Sequence, residues 1–428
     1  MERSRPAPRL GRALRHRNYR LFLGGQTISL CGTWITSVAT SWMVYRLTQS
    51  PFWLGVVGFA SQAPTAILAP VAGVWVDRWN RHRVLVVTQA CAMLQSTLLA
   101  VFALTGLMTV GHLIALGALQ GLINAFDVPA RQSFVVQMID DRADLANAIA
   151  LNSSMVNGTR LVGPSLGGIL IAAIGEGWCF AIDAVSYIAV IGSLLAMRIT
   201  PVPPRPRRGS VWAELADGLG YVRRTPMVMA VLSMLAISSL LGMPYAALMP
   251  AFAVERLGGG AHTLGFLIGA SGVGALGAAL YLAARRSVVG LASVLSRAAA
   301  AFGVALVTLA FVRSPWVAVP VLFVAGAGMM LQLAGTNTIV QSLVDEDKRG
   351  RVMSLYTLAF FGATPIGALV GGAIARQLGT HVAVGLGGAA CVVVAVVFRA
   401  ALPALRRASR DLYVSKGLLP PPAGHGPG

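Results

Sequence analysis

Charged residues are scarce in this sequence. They make up 11% of its 428 residues, whereas a soluble globular protein averages about 25%. Acids are the rarer sign, with 15 acidic residues against 34 basic ones, and 56% of the chain is hydrophobic. So long a chain with so little charge lacks the polar surface that water requires, and we predict that most of its surface faces lipid.

Cysteines and catalytic motifs are also rare. The four cysteines, which form no CxxC pair, are Cys31, Cys91, Cys179 and Cys391. Their spacing argues against a disulfide framework or a cysteine metal site, and we expect buried thiols. No HExxH, GxSxG or phosphate-loop motif occurs, and Asp140-Asp141 is an isolated acidic pair. We therefore expect no enzyme, no metal and no cofactor.

Long apolar runs are abundant. A bilayer core about 30 Å thick needs roughly 20 helical residues, and that length predicts twelve spans. The spans are 19–45, 52–76, 84–106, 110–130, 146–174, 178–198, 226–252, 263–284, 290–312, 316–340, 351–375 and 381–401. The first apolar run is too long for a signal peptide, so we interpret it as a retained helix.

The basic residues follow an alternating pattern. The net charge of +19 suggests nucleic acid until its distribution is considered. With the N-terminus in the cytoplasm, 28 of the 34 basic residues fall in cytoplasmic segments and four in outside segments. This bias obeys the positive-inside rule and attracts anionic lipid. We predict a multi-pass protein of the bacterial inner membrane, with both termini cytoplasmic and with lipids, not nucleic acid, as partners.

The chain divides near its middle. The predicted parts are a cytoplasmic tail (1–18), a six-helix bundle (19–198), a cytoplasmic linker (199–225), a second six-helix bundle (226–401) and a cytoplasmic tail (402–428). The linker begins with prolines and arginines and continues into a short amphipathic helix near 211–221. The predicted fold class is an all-α membrane protein with twelve transmembrane helices in two pseudo-symmetric six-helix bundles.

An internal repeat supports this division. At a shift of 204 residues, Gly73 falls on Gly277, Arg81 on Arg285, and Gly167-Gly168 on Gly371-Gly372. Two parallel six-span halves are typical of transporters, with the substrate site between them near the midplane. Asp77 and Asp127 have no counterpart in the second half, so we expect the first half to retain the polar machinery.

The loop after the second span carries a motif. It reads Gly73-Val-Trp-Val-Asp77-Arg78-Trp-Asn80-Arg81-His82-Arg83 and resembles the signature loop of the major facilitator superfamily, from which Asn80 and His82 depart. The resemblance implies that Asp77 and Arg81 form a cytoplasmic latch that stabilises the outward-open state. Asp127 and Arg131, at i and i+4 on the fourth span, are placed to complete it. Alternatively, the basic residues only set the topology.

The fifth span carries a second motif. Gly163-Pro164-Ser-Leu-Gly167-Gly168 resembles the Gly-Pro-x-x-Gly-Gly motif of antiporter-type members of the superfamily. Its glycines leave a groove for a neighbouring helix, and its proline bends the span. The motif favours export over import, although plain helix packing is an alternative.

Three longer segments narrow the resemblance. They run from Leu14 to Trp34, from Tyr45 to Pro51 and from Asp127 to Pro164. They are similar to bacterial efflux proteins of the enterobactin-exporter type, within the transmembrane secretion effector group. The resemblance covers roughly residues 14–405 and implies export without naming one substrate.

Few ionisable residues fall inside the membrane. Intramembrane charges are costly and are functional hypotheses by default. Asp183 on the sixth span and Arg160 on the fifth are predicted to pair, with Asp183 binding a proton when the pair opens. The alternative is a structural ion pair, or an aspartate held by hydroxyl groups such as that of Ser186.

The superfamily resemblance implies a central cavity lined by spans one, four, seven and ten. The polar and soft residues on these spans are Gln26, Thr33, Gln120, Asn124, Met243, Tyr245, Gln332 and Asn337. They include no fixed charge, which predicts an amphiphilic or neutral substrate. Each residue has the alternative role of joining two helices.

These observations predict one function with rivals. The chain is expected to be a monomeric secondary transporter that exports a small amphiphilic molecule, a drug, siderophore or metabolite, by alternating access with proton influx. A non-transporting sensor or lipid-handling protein on the same fold is the alternative, because fold does not determine function. A channel or a membrane-embedded enzyme is less well supported by the repeat and the motifs.

Overall fold

The computed structural model describes residues 11–139, 141, 144–198, 211–285 and 287–418, and all regular structure in them is helical. The helices are α1 (Arg17–Thr48), α2 (Pro51–Arg78), α3 (Arg81–Leu104), α4 (Val110–Phe134), α5 (Leu145–Ile174), α6 (Glu176–Leu195), α7 (Val211–Arg224), α8 (Pro226–Ile237), α9 (Pro244–Glu255), α10 (Ala261–Ala284), α11 (Leu291–Phe311), α12 (Pro315–Leu343), α13 (Glu346–Thr357), α14 (Ala363–Leu378), α15 (Thr380–Ala408) and α16 (Arg410–Ser415). The extreme termini, the start of the predicted linker and Asp140 lie outside the described residues.

Two spans are interrupted by π-helical turns. Ser238–Gly242 joins α8 to α9, and Leu358–Gly362 joins α13 to α14. Pro244 follows the first turn closely, and Pro365 follows the second. A proline removes one backbone donor and collides with the preceding turn, and a π turn absorbs that irregularity without ending the span.

The helical membrane fold is confirmed. Ten helical segments, counting each interrupted pair as one, are long and apolar enough to cross a membrane. Helices α1 and α5 have 32 and 30 residues, or about 48 and 45 Å at 1.5 Å per residue, which exceeds the bilayer core. Their polar residues lower their hydropathy, so they fall outside the ten, and the total of twelve spans stays a prediction.

The two halves repeat one packing scheme. In the first half, α2 packs on α4, and α3 packs on both α4 and α6. In the second half, α10 packs on α12, and α11 packs on both α12 and α15. Gly175 and Gly379, which are 204 residues apart, each join two spans through a single residue with φ of 83° and 93°. Glycine adopts this left-handed conformation without steric cost.

Both ends of the described chain lie at one face, which we call the terminal face; the opposite one is the far face. Asn18 Nδ2 donates to the carbonyl oxygen of Arg198, 2.8 Å away, where the linker starts. Lys416 Nζ donates to Asp345 Oδ1, which lies 2.5 Å away beside Tyr221 of α7. The two ends of the described chain and helix α7 therefore lie on the same face of the bundle.

Helix α7 is clamped to the start of α13. Lys348 Nζ lies 3.0 Å from Asp217 Oδ2, and Arg351 pairs with the same carboxylate. The hydrogen bonds from Lys348 and Arg351 hold the pKa of Asp217 below its ordinary value. In the first half, Arg12 pairs with Asp144 at 3.3 Å where α5 begins. Each half thus fastens the segment before its first span to the start of its fifth.

Candidate functional site

The two halves meet through small residues near the far face. A Cβ atom added to Gly168 of α5 would lie 2.6 Å from the Cα atom of Gly265 on α10. On the other side of the molecule, a Cβ atom at Gly55 of α2 would lie 3.3 Å from the Cα atom of Gly372 on α14. Only glycine permits such approaches between backbones. These two pairs therefore close the far end of the interface between the halves, which we call the seam.

A carboxylate strengthens this seal. Tyr45, at the end of α1, donates its hydroxyl hydrogen to Glu255 Oε1 across 2.9 Å. Thr380 Oγ1, at the start of α15, donates to Glu255 Oε2 across 2.6 Å. Glu255 ends α9, so the first of these bonds joins the two halves and the second links two helices of the second half.

The terminal end of the seam is open. A Cβ atom added to Gly73, near the terminal end of α2, would meet no atom within 4 Å. No other helix in the described part of the chain therefore packs closely on Gly73 in this structure. Together with the sealed far face, this contact pattern indicates that the halves are joined at the far face and are apart at Gly73.

A cavity of about 130 Å³ lies between the halves. Trp34 of α1 and Arg160 of α5 line it from the first half. The second half contributes α9, α10, α12 and the π turn before α14. The lining residues from the second half, including Met243 just before α9, are Met243, Tyr245, Ala246, Met249, Leu267, Ile268, Ser271, Gly272, Ala275, Leu322, Gly326, Met329, Met330, Leu333 and Phe360. The arrangement offers a small chamber of soft apolar surface with one fixed positive charge.

Two of the eight predicted cavity residues line this chamber. Met243 and Tyr245 do so, and the Tyr245 hydroxyl lies 3.1 Å from Ser271 Oγ. The other six lie outside its lining. Gln120 bonds Asn124 at 3.1 Å, and Asn337 bonds Gln341 at 2.6 Å. Gln26 and Gln332 are buried, and Thr33 bonds the carbonyl oxygen of Ser29.

The predicted latch residues lie at the terminal ends of α2, α3 and α4. Asp127 is buried and lies 3.0 Å from Arg131. Its Oδ1 atom also accepts hydrogen bonds from Thr88 and Gln89 of α3, at 2.9 and 2.7 Å. Asp127 therefore ties α4 to α3 within the first half. Arg78 ends α2 and Arg81 begins α3, and the side chain of Asp77 lies outside the described residues.

The predicted Asp183–Arg160 ion pair is absent from the described contacts. Asp183 is 1% exposed, and its Oδ2 atom accepts a hydrogen bond from Ser96 of α3 at 2.8 Å. The Ser186 hydroxyl donates to the backbone carbonyl oxygen of Asp183 at 2.7 Å and lies 3.5 Å from its Oδ1 atom. The Arg160 guanidinium instead lies over the ring of Trp34, 5.9 Å from its centroid. The pair is wrong for this state because hydroxyls hold the aspartate and the arginine faces the cavity.

The fifth-span motif serves two neighbours. A Cβ atom at Gly163 would lie 3.2 Å from Trp34 Cγ, and one at Gly167 would lie 3.2 Å from the Cα atom of Ile35. Both glycines therefore face α1 in the same half. Gly168 and the carbonyl oxygen of Pro164 face Gly265 in the other half. One short stretch thus fixes the position of Trp34 and closes the seam.

Sequence reasoning missed Trp34, Ser271, Met330 and Phe360. The only signal for Trp34 was its place in a segment similar to known exporters. The π turn that brings Phe360 to the cavity left no pattern beyond the nearby proline.

Comparisons with known proteins agree with this architecture. The family described as transmembrane secretion effector matches residues 12–423. A staphyloferrin A transporter of Staphylococcus aureus (strain NCTC 8325 / PS 47) is 23% identical over 355 residues, which cover 82% of this chain and 87% of the relative. An enterobactin exporter of Escherichia coli O1:K1 / APEC is 24% identical over 399 residues, 92% of this chain and 93% of the relative.

A solved structure has the same fold. The structure of a bacterial homologue of the iron transporter ferroportin in an inward-facing state aligns with a TM-score of 0.69 at 18% identity. The alignment covers 90% of this chain and 98% of that one. It confirms the predicted major facilitator fold and carries no information about substrate.

Proposed function

Because the chain belongs to the transmembrane secretion effector family, we propose that it exports a small amphiphilic molecule by alternating access, coupled to proton influx. Its relatives are transporters, and it is a multi-pass membrane transporter, not an enzyme. One observation carries the proposal. The cavity is lined from both halves, and the seam beside it is sealed at the far face and open at the terminal face.

The terminal face is assigned to the cytoplasm of a bacterial inner membrane. This assignment rests on the excess of basic residues on the segments that share that face. A cavity that opens to the cytoplasm receives its cargo there, as export requires. The same basic residues contact anionic lipid headgroups, and the chain acts as a monomer without nucleic acid.

The substrate class follows from the lining and from the relatives. The methionines and aromatic rings adapt to bulky apolar surface, and the Tyr245–Ser271 pair and Arg160 supply polar contacts. The relatives handle staphyloferrin A and enterobactin by name, which are siderophores. A siderophore, a drug or a related metabolite therefore fits the site.

The latch is assigned to the state that is open to the outside. In that state the terminal ends of α2 and α13 approach each other, and Gly73 allows the contact. Asp77, Arg78 and Arg81 then join the ends of the two halves, while Asp127 and Arg131 hold α4 in place beside them. The open surroundings of Gly73 support this role, because no other described helix packs against the glycine in the present state.

Asp183 is the proposed proton acceptor. It is a buried carboxylate held by Ser96 and Ser186, so a proton that neutralises it changes how α3 and α6 are joined. Asp183→Asn keeps the shape and removes the titration. Transport driven by a pH gradient should fall to the level measured without a gradient. Glu176→Gln, which alters another buried acid beside Arg46, is the control and should keep its coupling.

Flux in proteoliposomes tests the function. Purified protein is reconstituted, a pH gradient is imposed, and the movement of staphyloferrin A, enterobactin and ethidium is measured. Gradient-stimulated flux of at least one compound is expected. A flux rate that does not depend on the pH gradient would indicate a facilitator. Absence of flux for the whole panel would favour the alternative, a non-transporting sensor or lipid-handling protein on the same fold.

A further inference from the structure

Arg160 places a positive charge where the two halves meet. The residue lies on α5 in the first half, is half-buried, and lines the cavity together with Trp34. Every other charged residue is missing from the described lining, which is otherwise methionine, aliphatic and aromatic apart from Tyr245 and Ser271. A guanidinium keeps its charge at any physiological pH, so the chamber is permanently cationic.

The structure does not neutralise this charge. Among the described residues, no ion pair joins Arg160 to a carboxylate. The acids on the neighbouring spans are engaged elsewhere: Asp127 with Arg131, Asp183 with Ser96, and Glu255 with Tyr45 and Thr380. A charge at membrane depth is costly unless it is paired. The missing counter-charge is therefore expected to arrive with a ligand.

The surroundings of Arg160 suit a planar anion. Arginine presents a rigid fork of donors that matches a carboxylate in a bidentate manner. The ring of Trp34 lies 5.9 Å from the guanidinium carbon and is itself pressed against Gly163. The guanidinium thus lies over the ring, and both side chains line the same chamber, so a ligand with an anionic group on an aromatic or other flat framework meets both.

The size of the chamber limits what enters it. A cavity of about 130 Å³ is well below the roughly 300–1,000 Å³ that encloses a drug-sized ligand. It holds one head group and leaves the rest of a larger molecule in the open seam.

We propose that this chamber is an anion subsite, in which Arg160 and Trp34 hold the anionic, flat head group of the exported molecule. The inference rests on the proposed export and narrows the substrate to amphiphilic anions. It replaces the expectation of a neutral substrate, which considered spans one, four, seven and ten and so left out the fifth span. Cationic amphiphiles are repelled by the same charge.

Three probes with one ring system test the charge preference. Tritiated 1-naphthoate, 1-naphthamide and 1-naphthylmethylammonium are anionic, neutral and cationic at pH 7. Equilibrium binding is measured on full-length protein in lipid nanodiscs, with empty nanodiscs subtracted. The wild-type protein should bind 1-naphthoate at least about tenfold more tightly than the other two, which is the smallest effect expected of a hydrogen-bonded charge.

Substitutions assign that preference to named residues. Arg160→Gln should weaken 1-naphthoate binding about tenfold to hundredfold and leave 1-naphthamide unchanged. Arg160→Lys should retain part of the preference, and Trp34→Leu should weaken both probes while preserving it. Arg297→Gln removes another arginine within a span, one that is exposed and bonds only the carbonyl of Ser293 among the described contacts. This control should behave like the wild type.

Several outcomes would overturn the subsite. They are equal binding of the three probes, no 1-naphthoate binding at millimolar concentration, or an unchanged preference in Arg160→Gln. If Arg160→Gln does not fold, the test of the subsite rests on two other measurements. These are the preference of the wild-type protein for 1-naphthoate and the preference that Arg160→Lys retains. Binding is measured without flux, so a protein that prefers the anion but transports nothing contradicts export and keeps the subsite. Gradient-driven flux without a binding preference for the anion supports export and contradicts the subsite.

Discussion

Helix α2 carries two glycines on one face, and its two ends have opposite surroundings. Gly55 and Gly73 are 18 residues apart, which is five helical turns or about 27 Å. At the far end, a Cβ atom on Gly55 would lie 3.2 Å from the carbonyl carbon of Ala368; at the terminal end, Gly73 faces open space. The glycine face of α2 is therefore packed against the second half at one end only. The conformational state of the seam decides which end that is.

The largest expected effect comes from filling the packed end. In Gly55→Leu the new side chain collides with the backbone of α14, and overpacking of this kind costs about 1–3 kcal/mol. The far-face-closed state should become roughly 5- to 150-fold less populated, and transport should fall accordingly. Distances between spin labels at exposed Leu47 and Leu378 should lengthen. An unchanged distance distribution would show that this contact does not hold the seam.

Filling the open end should separate folding from transport. A Cβ atom at position 73 meets no other atom within 4 Å in the present state, so in Gly73→Leu the label distance at the far face and the binding of 1-naphthoate should match the wild type. Turnover should fall about tenfold or more, because the leucine obstructs closure of the terminal face. Normal turnover in proteoliposomes would remove Gly73 from the closing contact.

Removing the carboxylate at the far face should have a moderate effect. Glu255→Ala loses the acceptor for Tyr45 and Thr380, and because Glu255 is exposed each bond contributes only about 1 kcal/mol. The far face should open roughly fivefold more often, as measured by the same label distance. Glu176→Ala breaks a contact with Arg46 inside one half. This control should leave the distance unchanged, and an equal shift in both variants would contradict the assignment.

The smallest effect is expected at the clamp on α7. The pKa of Asp217 is lowered by Lys348 and Arg351, so its stabilising contribution is full above the ordinary aspartate pKa, near pH 4. That contribution is lost only as the pH falls through the lowered value. Hydrogen exchange of residues 211–224 should stay constant from pH 6 to 8 after correction for intrinsic rates. Asp217→Asn should raise the hydrogen-exchange rate of these residues at pH 7. The increase should be slight, because exposed ion pairs contribute little to stability. Asp217→Glu should restore protection.

Spacing located the helices and the motifs better than it located the cavity. Gln120 and Asn124 were predicted to line the cavity from the fourth span, but they bond each other. Thr33 was expected to line the cavity, and its neighbour Trp34 does so instead. Successive residues differ by about 100° around a helix, so the rotation of α1 about its axis decides between them. That rotation is set by the contact of Trp34 with Gly163, which lies more than a hundred residues away.

The sequence by itself determined the membrane class, the division into two halves and the small-residue stretches that allow close helix packing. These features follow from local hydropathy, charge and side-chain size, because the bilayer acts as a solvent on each span separately. Only the tertiary structure decided which end of the seam is closed, that Asp183 is held by hydroxyls, and that Arg160 faces the cavity. Those outcomes depend on helix rotation and on contacts between distant segments, which no local pattern encodes.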